Sequence, residues 1–237
     1  MQKKVEEEQD VANSLKEFVK RWPKFYYFIF DFFGPVYFGG LNPKSFLHRY
    51  QDGGLVLNLG SGNRRLTPDS VNVDSCKYEN VDVVADLSKL PYANESVSTI
   101  VCTEVLEHVF DIEGAVEEVY RVLRTDGYGY ISIPFLYPFH TSPSDYRRWT
   151  HVGLKDLFHK FEIVEIGVRS GPFSALATQL CFITSLLLSF GNKKIYWILN
   201  YASIFIFFPI KFLDIIANRL PFAIHSSALI YCVVKKK

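Results

Sequence analysis

Asp52-Gly-Gly-Leu-Val-Leu-Asn58-Leu-Gly60-Ser61-Gly62-Asn63 is the stretch from which the rest of the chain can be read. Leu55–Leu59 is a short apolar run with glycines on both sides, the signature of a buried strand. Glycines directly after such a strand let the backbone approach a ligand closely. Alone, Gly-Ser-Gly reads equally well as a tight turn. Working outward, Val71–Val73, Val83–Ala85, Thr99–Cys102, Tyr128–Ile133 and Phe161–Val168 repeat the strand pattern. Between them, Ile112, Ala115, Val116, Val119, Val122 and Leu123 mark one face of a helix, with Gly127 expected as its C-terminal cap. Thr150 is expected to cap a helix over 152–160, and Ser226–Val234 is a last strand. Strands alternating with helices predict an α/β fold with a doubly wound, mostly parallel sheet.

The bulk numbers agree with one domain plus additions. The chain has 237 residues, is 49% hydrophobic and carries a net charge of +1, so there is no electrostatic case for nucleic-acid binding. Cys76, Cys102, Cys181 and Cys232 form no Cys-x-x-Cys pair, which argues against a zinc site or disulfide framework and suits a reducing compartment. The first ten residues are charged, unlike a secretory signal. No metal-ligand spacing is present along the chain, and no metal is expected.

Acidic residues stand at the ends of the next two strands. Asp74 closes Val-Asn-Val-Asp and is followed by Ser75; Asp86 closes Val-Val-Ala-Asp and is followed by Leu87. A carboxylate at the end of the second strand can accept both ribose hydroxyls of an adenosine. Asp86 and Leu87 suit the adenine amino group and ring; the alternative for each Asp is a solvated loop carboxylate. The fourth strand runs into Cys102-Thr103-Glu104-Val-Leu-Glu-His108, and Glu118-Val-Tyr-Arg-Val-Leu-Arg-Thr-Asp-Gly127 leads into the fifth. In this order the motifs resemble the class I S-adenosylmethionine (SAM) dependent methyltransferases of the small-molecule type, over about residues 53–169. The resemblance implies a Rossmann-like seven-stranded sheet whose last strand is antiparallel, and SAM as cofactor. It implies Gly60, Ser61 and Gly62 near the methionine part of SAM, Asp74 at the ribose, Asp86 and Leu87 at adenine, and Thr103 and Glu104 beside the sulfonium, with Asn58 and Ser75 as further cofactor-binding candidates.

Some positions depart from that family's pattern. Asn58 stands where an acidic residue is usual, Arg64 where a third glycine often sits, and Asp126 where a Pro-Gly-Gly turn has glycine. So few residues separate Gly62 from Val71 that the first helix must be vestigial, which removes a helix N-terminus from the anion side of the site. Arg64 or Arg65 then either pairs with the cofactor carboxylate or is solvated. An NAD-dependent sugar oxidoreductase is the rival on the same scaffold, but its fingerprint wants a third glycine where Arg65 stands, opening a helix.

The acceptor side is expected in Pro134-Phe-Leu-Tyr-Pro-Phe-His140-Thr-Ser-Pro-Ser-Asp145-Tyr146-Arg147-Arg148-Trp-Thr150, which follows the fifth strand at the carboxyl edge. This segment resembles one found in methyltransferases of surface-polysaccharide and lipid-linked sugar assembly. Methyl transfer from a sulfonium needs alignment and removal of a hydroxyl proton. His140, with Asp145 and Tyr146, is the candidate catalytic group, against a reading in which His140 only holds the loop through Asp145. His108 reads as structural.

Two hydrophobic attachments complete the organisation. Residues 1–52 form an N-terminal helical and aromatic segment, with Phe25-Tyr-Tyr-Phe-Ile-Phe-Asp-Phe-Phe33 as its most apolar run. Residues 171–192 and 195–210 carry no charge and are separated by Lys193-Lys194. We read 171–222 as a hydrophobic helical insertion, and 53–170 with 223–237 as the SAM-binding domain. Full insertion of the hairpin would place Lys193 and Lys194 on the far side of a bilayer, against the positive-inside bias. A shallow or interfacial hairpin fits better, with Lys211, Arg219 and the terminal lysines meeting anionic headgroups; the alternative is a protein-packed cap or a dimer interface. The expectation is a methyltransferase acting on a hydroxyl of a sugar or lipid-linked glycan, peripheral or monotopic at the cytoplasmic membrane face. A lipid-quinone methyltransferase and a non-catalytic membrane-bound module are the remaining alternatives.

Overall fold

The computed structural model describes residues 32–140 and 144–237. The expected N-terminal helix and most of the aromatic run 25–33 lie outside these residues, as does the Thr141–Pro143 part of the acceptor segment. Seven strands form one sheet in the order β3-β2-β1-β4-β5-β7-β6. They are β1 (Val56–Leu59), β2 (Val71–Asp74), β3 (Val83–Val84), β4 (Val97–Thr103), β5 (Leu123–Pro134), β6 (Glu162–Ser170) and β7 (Leu229–Lys235). The β1–β5 pairings are parallel, and β7 runs antiparallel to both β5 and β6. The reversal at β7 is what the Rossmann-like methyltransferase pattern implied.

Alternation along the strands builds a core on each face. Leu57, Leu59, Ile100, Cys102, Ile131, Ile133, Ile230 and Cys232 point to one side, under helices α2 (Ile112–Val122) and α3 (His151–Leu157). Val56, Val101, Tyr130, Tyr231 and Val233 point to the other, where α1 (Pro43–Tyr50) lays Phe46 and Leu47. That second core is aromatic: Tyr130 stacks on Tyr231 at 5.8 Å and meets Phe46 at 5.4 Å, while its hydroxyl donates to the Leu41 carbonyl. The Asn42 side chain caps α1 by accepting from Ser45 N–H at 2.9 Å, with Pro43 in the first turn.

Several boundaries differ from the sequence reading. Gly127 is not a helix cap: α2 passes at Leu123 directly into β5, and Gly127 lies inside that strand. A Cβ there would meet the Arg124 and Ser98 carbonyl oxygens at 2.8 and 2.9 Å, so close packing explains this glycine. The left-handed residue is instead Asp126, with φ of 62°. α3 ends at Leu157 rather than 160, although Thr150 does cap it by accepting from Gly153 N–H.

No helix joins β1 to β2. The loop is held by a ladder of side-chain amides. Asn58 Nδ2 donates to the Arg64 carbonyl and to Asn72 Oδ1; Asn72 Nδ2 donates to the Arg64 and Asn80 carbonyls; Asn80 pairs with Asn63. Buried amides with complete partners can replace the backbone bonds a helix would supply.

Between β6 and β7 the chain leaves the sheet through α4 (Pro172–Leu188), α5 (Lys193–Phe207), a 3-10 stretch (Phe208–Leu213) and α6 (Asp214–Ala217). Lys193–Ala217 forms one continuous helical run of 25 residues, with a mean hydropathy of 1.6 in its most apolar window. The hairpin is inverted with respect to a water-soluble helix pair. Ser174, Ala177, Thr178, Cys181 and Ser185 of α4 and Asn200 and Ser203 of α5 are buried. Leu176, Ile183, Leu186, Leu187, Ile198, Phe205 and Ile206 are exposed. Both ends of the hairpin are pinned to protein. Asp214 accepts from Phe173 N–H, Ser174 N–H and Ser174 Oγ, which caps α4 across space. Lys211 is buried and donates to the Phe32 and Gly34 carbonyls, so it is not available to a lipid headgroup as expected. Phe33 packs on Phe205 and Phe208, joining the end of the aromatic run to the hairpin.

The terminal lysines also sit elsewhere than expected. Because β7 is antiparallel, Leu229 lies beside Pro134 at the carboxyl edge and Lys235 beside Tyr128 at the opposite edge. There Lys235 pairs with Asp126, and Lys236 is buried against the Tyr120 and Leu123 carbonyls and Glu95. The hairpin leaves from one edge of the sheet, and these two lysines are anchored at the other.

Candidate active site at the carboxyl edge of the sheet

The carboxyl ends of β1, β2, β4 and β5 converge on one edge, where open α/β sheets bind ligands. Gly60 follows β1 with φ of 63°, and a Cβ on it would come within 2.5 Å of both methyls of Val105. Gly62 is also left-handed, at 52°, and has open space where its Cβ would be. Ser61 lies between them, its N–H bonded to the Val73 carbonyl. Asp74 tightens this cradle: Oδ2 accepts from Gly62 N–H at 2.8 Å and Oδ1 from Cys76 N–H at 2.9 Å. A carboxylate accepting two N–H bonds retains lone pairs for further donors such as ribose hydroxyls. Ser75 is exposed beside it.

The other cofactor candidates fall in different surroundings. Asp86 accepts from Ser88 N–H and Oγ, and the Ser88 bonds hold its pKa below the ordinary aspartate value. Leu87 turns into the main core, and Asn58 is buried beneath the loop as part of the amide ladder. Thr103 ends β4. Glu104 follows in a left-handed conformation at φ of 50°, with Oε1 accepting from Ser132 Oγ and N–H donating to the Ser132 carbonyl. A non-glycine residue held in that region is strained, and such strain clusters at functional sites. Arg65 does not point to a cofactor carboxylate. It binds Asp82 at 2.7 Å and the Ser70 carbonyl at 2.6 Å, tying the first loop to the start of β3.

Beyond β5 the acceptor segment folds back onto the connection after β4. Tyr146 N–H donates to the Glu107 carbonyl, and Arg147 donates to the Val109 and Phe110 carbonyls. Arg148 grips Asp145 through both terminal nitrogens and also reaches the Tyr137 and Pro138 carbonyls. Burial would raise the Asp145 pKa, but the Arg148 bonds and the His140 N–H hold it below the usual value. His140 Nδ1 lies 3.3 Å from Asp145 Oδ2, and burial lowers the His140 pKa, favouring neutral imidazole. Tyr146 is half-exposed and stacks edge-on with Phe110 at 5.6 Å.

Sequence reasoning passed over the residue at the centre of this arrangement. The Glu107 side chain is fully buried, and neither carboxylate oxygen has a hydrogen-bond partner among the described residues. Burial pushes its pKa up to about 8. His108 Nε2 and His140 Nε2 lie 3.7 and 3.8 Å from Glu107 Oε1, and the two rings meet edge to face at 5.0 Å. Spacing along the chain could not reveal this group, because His140 arrives from a different strand. The one available signal was Glu-His directly after β4 together with a His in the β5 loop.

Residues 64–131 match a family described as a methyltransferase domain. The solved structures agree on the architecture. A SAM-dependent methyltransferase from Thermotoga maritima, described as a possible histamine N-methyltransferase, superposes with a TM-score of 0.52 at 15% identity, covering 92% of this chain and 98% of that one. A SAM-dependent methyltransferase from Archaeoglobus fulgidus gives 0.51 at 17% identity, covering 89% and 100%. The fold is that of the SAM-dependent methyltransferases. The 4+2 cyclase SpnF also shares it, with a TM-score of 0.50 at 13% identity over 81% of this chain and 79% of that one, so the fold leaves the reaction to be argued from the site. No curated protein matches the sequence.

Proposed function

We propose that the chain is a SAM-dependent methyltransferase that methylates a hydroxyl of a sugar or lipid-linked glycan at the cytoplasmic face of a membrane. The observation that carries this reading is the meeting, at one sheet edge, of the Gly60–Gly62 cradle and the His140–Asp145 pair. The residues present suit SAM: two left-handed glycines open the backbone, Asp74 faces the cradle, and Thr103 and Glu104 stand at the adjoining strand end. Gly60, Ser61 and Gly62 hold the methionine part, Asp74 and Ser75 the ribose, and Asp86 the adenine. Leu87 and Asn58 contribute by packing the strand ends and the loop. Bound SAM supplies an electrophilic methyl group.

What remains for the protein is to align the acceptor and dispose of its proton. His140 is the group that meets the acceptor hydroxyl. Asp145, clamped by Arg148, fixes the ring, and Tyr146 lines the approach. The inverted hairpin supports the membrane part of the reading. Small and polar residues inside with Leu, Ile and Phe outside is the arrangement expected of helices facing lipid. α4 is about 25 Å long and the α5–α6 run about 37 Å, against a hydrocarbon core of about 30 Å. With Asp214 and Lys211 pinning its base and Lys193-Lys194 at its tip, the hairpin lies shallowly in one leaflet. Because it leaves from the carboxyl edge, it brings a lipid-linked acceptor to the cofactor side. A lipid quinone is the second acceptor class that this apolar approach favours.

The test is incubation of the purified chain with methyl-labelled SAM and a cell-envelope extract. Label in a glycan or lipid-linked sugar, released as a methyl ether, is the expected result. Label in a quinone would move the acceptor class, and no transfer to any envelope component would remove the enzymatic reading.

A further inference from the structure

His108 and His140 each turn a hydrogen-bond acceptor toward the Glu107 carboxyl group. His108 Nδ1 is 2.5 Å from the Ser144 carbonyl oxygen, so Nδ1 carries the proton and Nε2 is a bare lone pair. His140 Nδ1 sits between Asp145 Oδ2 at 3.3 Å and the Pro138 carbonyl at 3.4 Å, which fixes the same tautomer. Both Nε2 atoms face Glu107 Oε1 at 3.7 and 3.8 Å, too far for a proton to be shared. Neither oxygen of this fully buried carboxylate has another partner among the described residues. Once Glu107 gives up its proton, as binding of a cation requires, the three groups converge lone pairs with no hydrogen between them, the complement of a cation.

We propose that Glu107, His108 and His140 bind a divalent cation of the zinc or cobalt type, through one carboxylate and two imidazole nitrogens. One donor atom from each residue lies within 4.8 Å of the others. Ligands about 2.0–2.2 Å from a tetrahedral metal stand roughly 3.3–3.6 Å apart, so each Glu107–histidine separation has only a few tenths of an ångström to close, and the widest pair no more than about 1.5 Å. The outer partners are already in place: a carbonyl on one imidazole and an Arg148-held carboxylate on the other orient the ligating nitrogens. Two imidazoles with one carboxylate favour zinc or cobalt over magnesium or calcium, which prefer oxygen. Three protein ligands leave a position open for a water or an acceptor oxygen.

This deepens the reading above and rests on it only for the identity of that acceptor. In the cation-bound state His140 is a ligand, and a coordinated hydroxyl owes its acidity to the metal. The cation itself is measurable without cofactor or acceptor. The chain, stripped with chelator, is titrated with Co2+ and followed by its visible absorption, with S-adenosylhomocysteine binding measured in parallel. The expected result is one equivalent of Co2+ with the intense bands of a low-coordinate site, displaced by Zn2+ and not by Mg2+. Glu107→Gln and His140→Ala should each weaken it by more than the roughly 10- to 100-fold that loss of an outer partner costs. His159→Ala, on an exposed histidine outside the cluster, should leave it unchanged. Absence of those bands, or equal Co2+ binding by wild type, Glu107→Gln and His140→Ala, overturns the site. S-adenosylhomocysteine binding without Co2+ binding defeats this proposal alone. Co2+ binding without S-adenosylhomocysteine binding defeats the methyltransferase reading and leaves the site standing.

Discussion

In the proposed mechanism His140 and Asp74 divide the work of the edge between them, and their replacement should separate chemistry from binding. His140→Ala removes the group proposed to meet the acceptor hydroxyl, whether as base or as ligand. Turnover should fall about 100- to 10,000-fold, the usual worth of a positioned acid or base, with SAM affinity nearly unchanged. Steady-state kinetics beside calorimetry checks this; a variant that keeps most of its rate would reduce His140 to a loop anchor. Asp74→Ala should do the reverse. It removes the proposed acceptor for ribose hydroxyls and also releases Gly62 N–H. A loss of about 1.5–3 kcal/mol is expected, on the order of 10- to 150-fold in affinity. Unchanged affinity in a folded Asp74→Ala protein would place the ribose elsewhere.

At the scale of elements, the β1–β2 connection shows what composition and spacing convey. The short gap between Gly62 and Val71 already excluded a full helix. The Asn58–Asn72–Asn80–Asn63 ladder that replaces it was not legible, because amides at those spacings look like ordinary turn residues. Asn72→Ala should therefore cost about 1–3 kcal/mol of stability, since it leaves buried amide partners unsatisfied. Urea unfolding measures it, and a loss below about 0.5 kcal/mol would mean that water takes over those bonds. The strands themselves were readable from short apolar runs closed by glycine or aspartate. Their edges were not: β4 extends to Val97 and Thr103 because pairing with β5, at Leu123 and Ser132, outweighs local preference. Arg65 was misjudged for a similar reason, as its partner Asp82 becomes a neighbour only once β2 and β3 pair. Glu107 escaped notice because nothing in a linear reading separates a buried glutamate from the exposed ones around it.

For the whole molecule, the proposed function makes the hairpin the part that decides where the enzyme works. On that reading its outward Leu, Ile and Phe side chains would bury apolar area in lipid, a contribution that salt does not screen. The protein should sediment with membranes, resist high salt in large part, and be released by detergent. Because Lys211 and Lys236 are consumed by backbone carbonyls, the salt-sensitive share should be small. A cysteine placed at Lys193 should stay inaccessible to an impermeant thiol reagent outside intact cells. Labelling from outside would establish a spanning hairpin, and a monodisperse protein in buffer alone would establish a protein-packed cap.

The central claim is that the glycine cradle and Asp74 at the carboxyl edge hold SAM, and calorimetric titration of the purified chain tests it most directly. S-adenosylmethionine and S-adenosylhomocysteine should each bind at one site, and NAD should give no heat. Tight NAD binding with no response to S-adenosylhomocysteine would contradict the account.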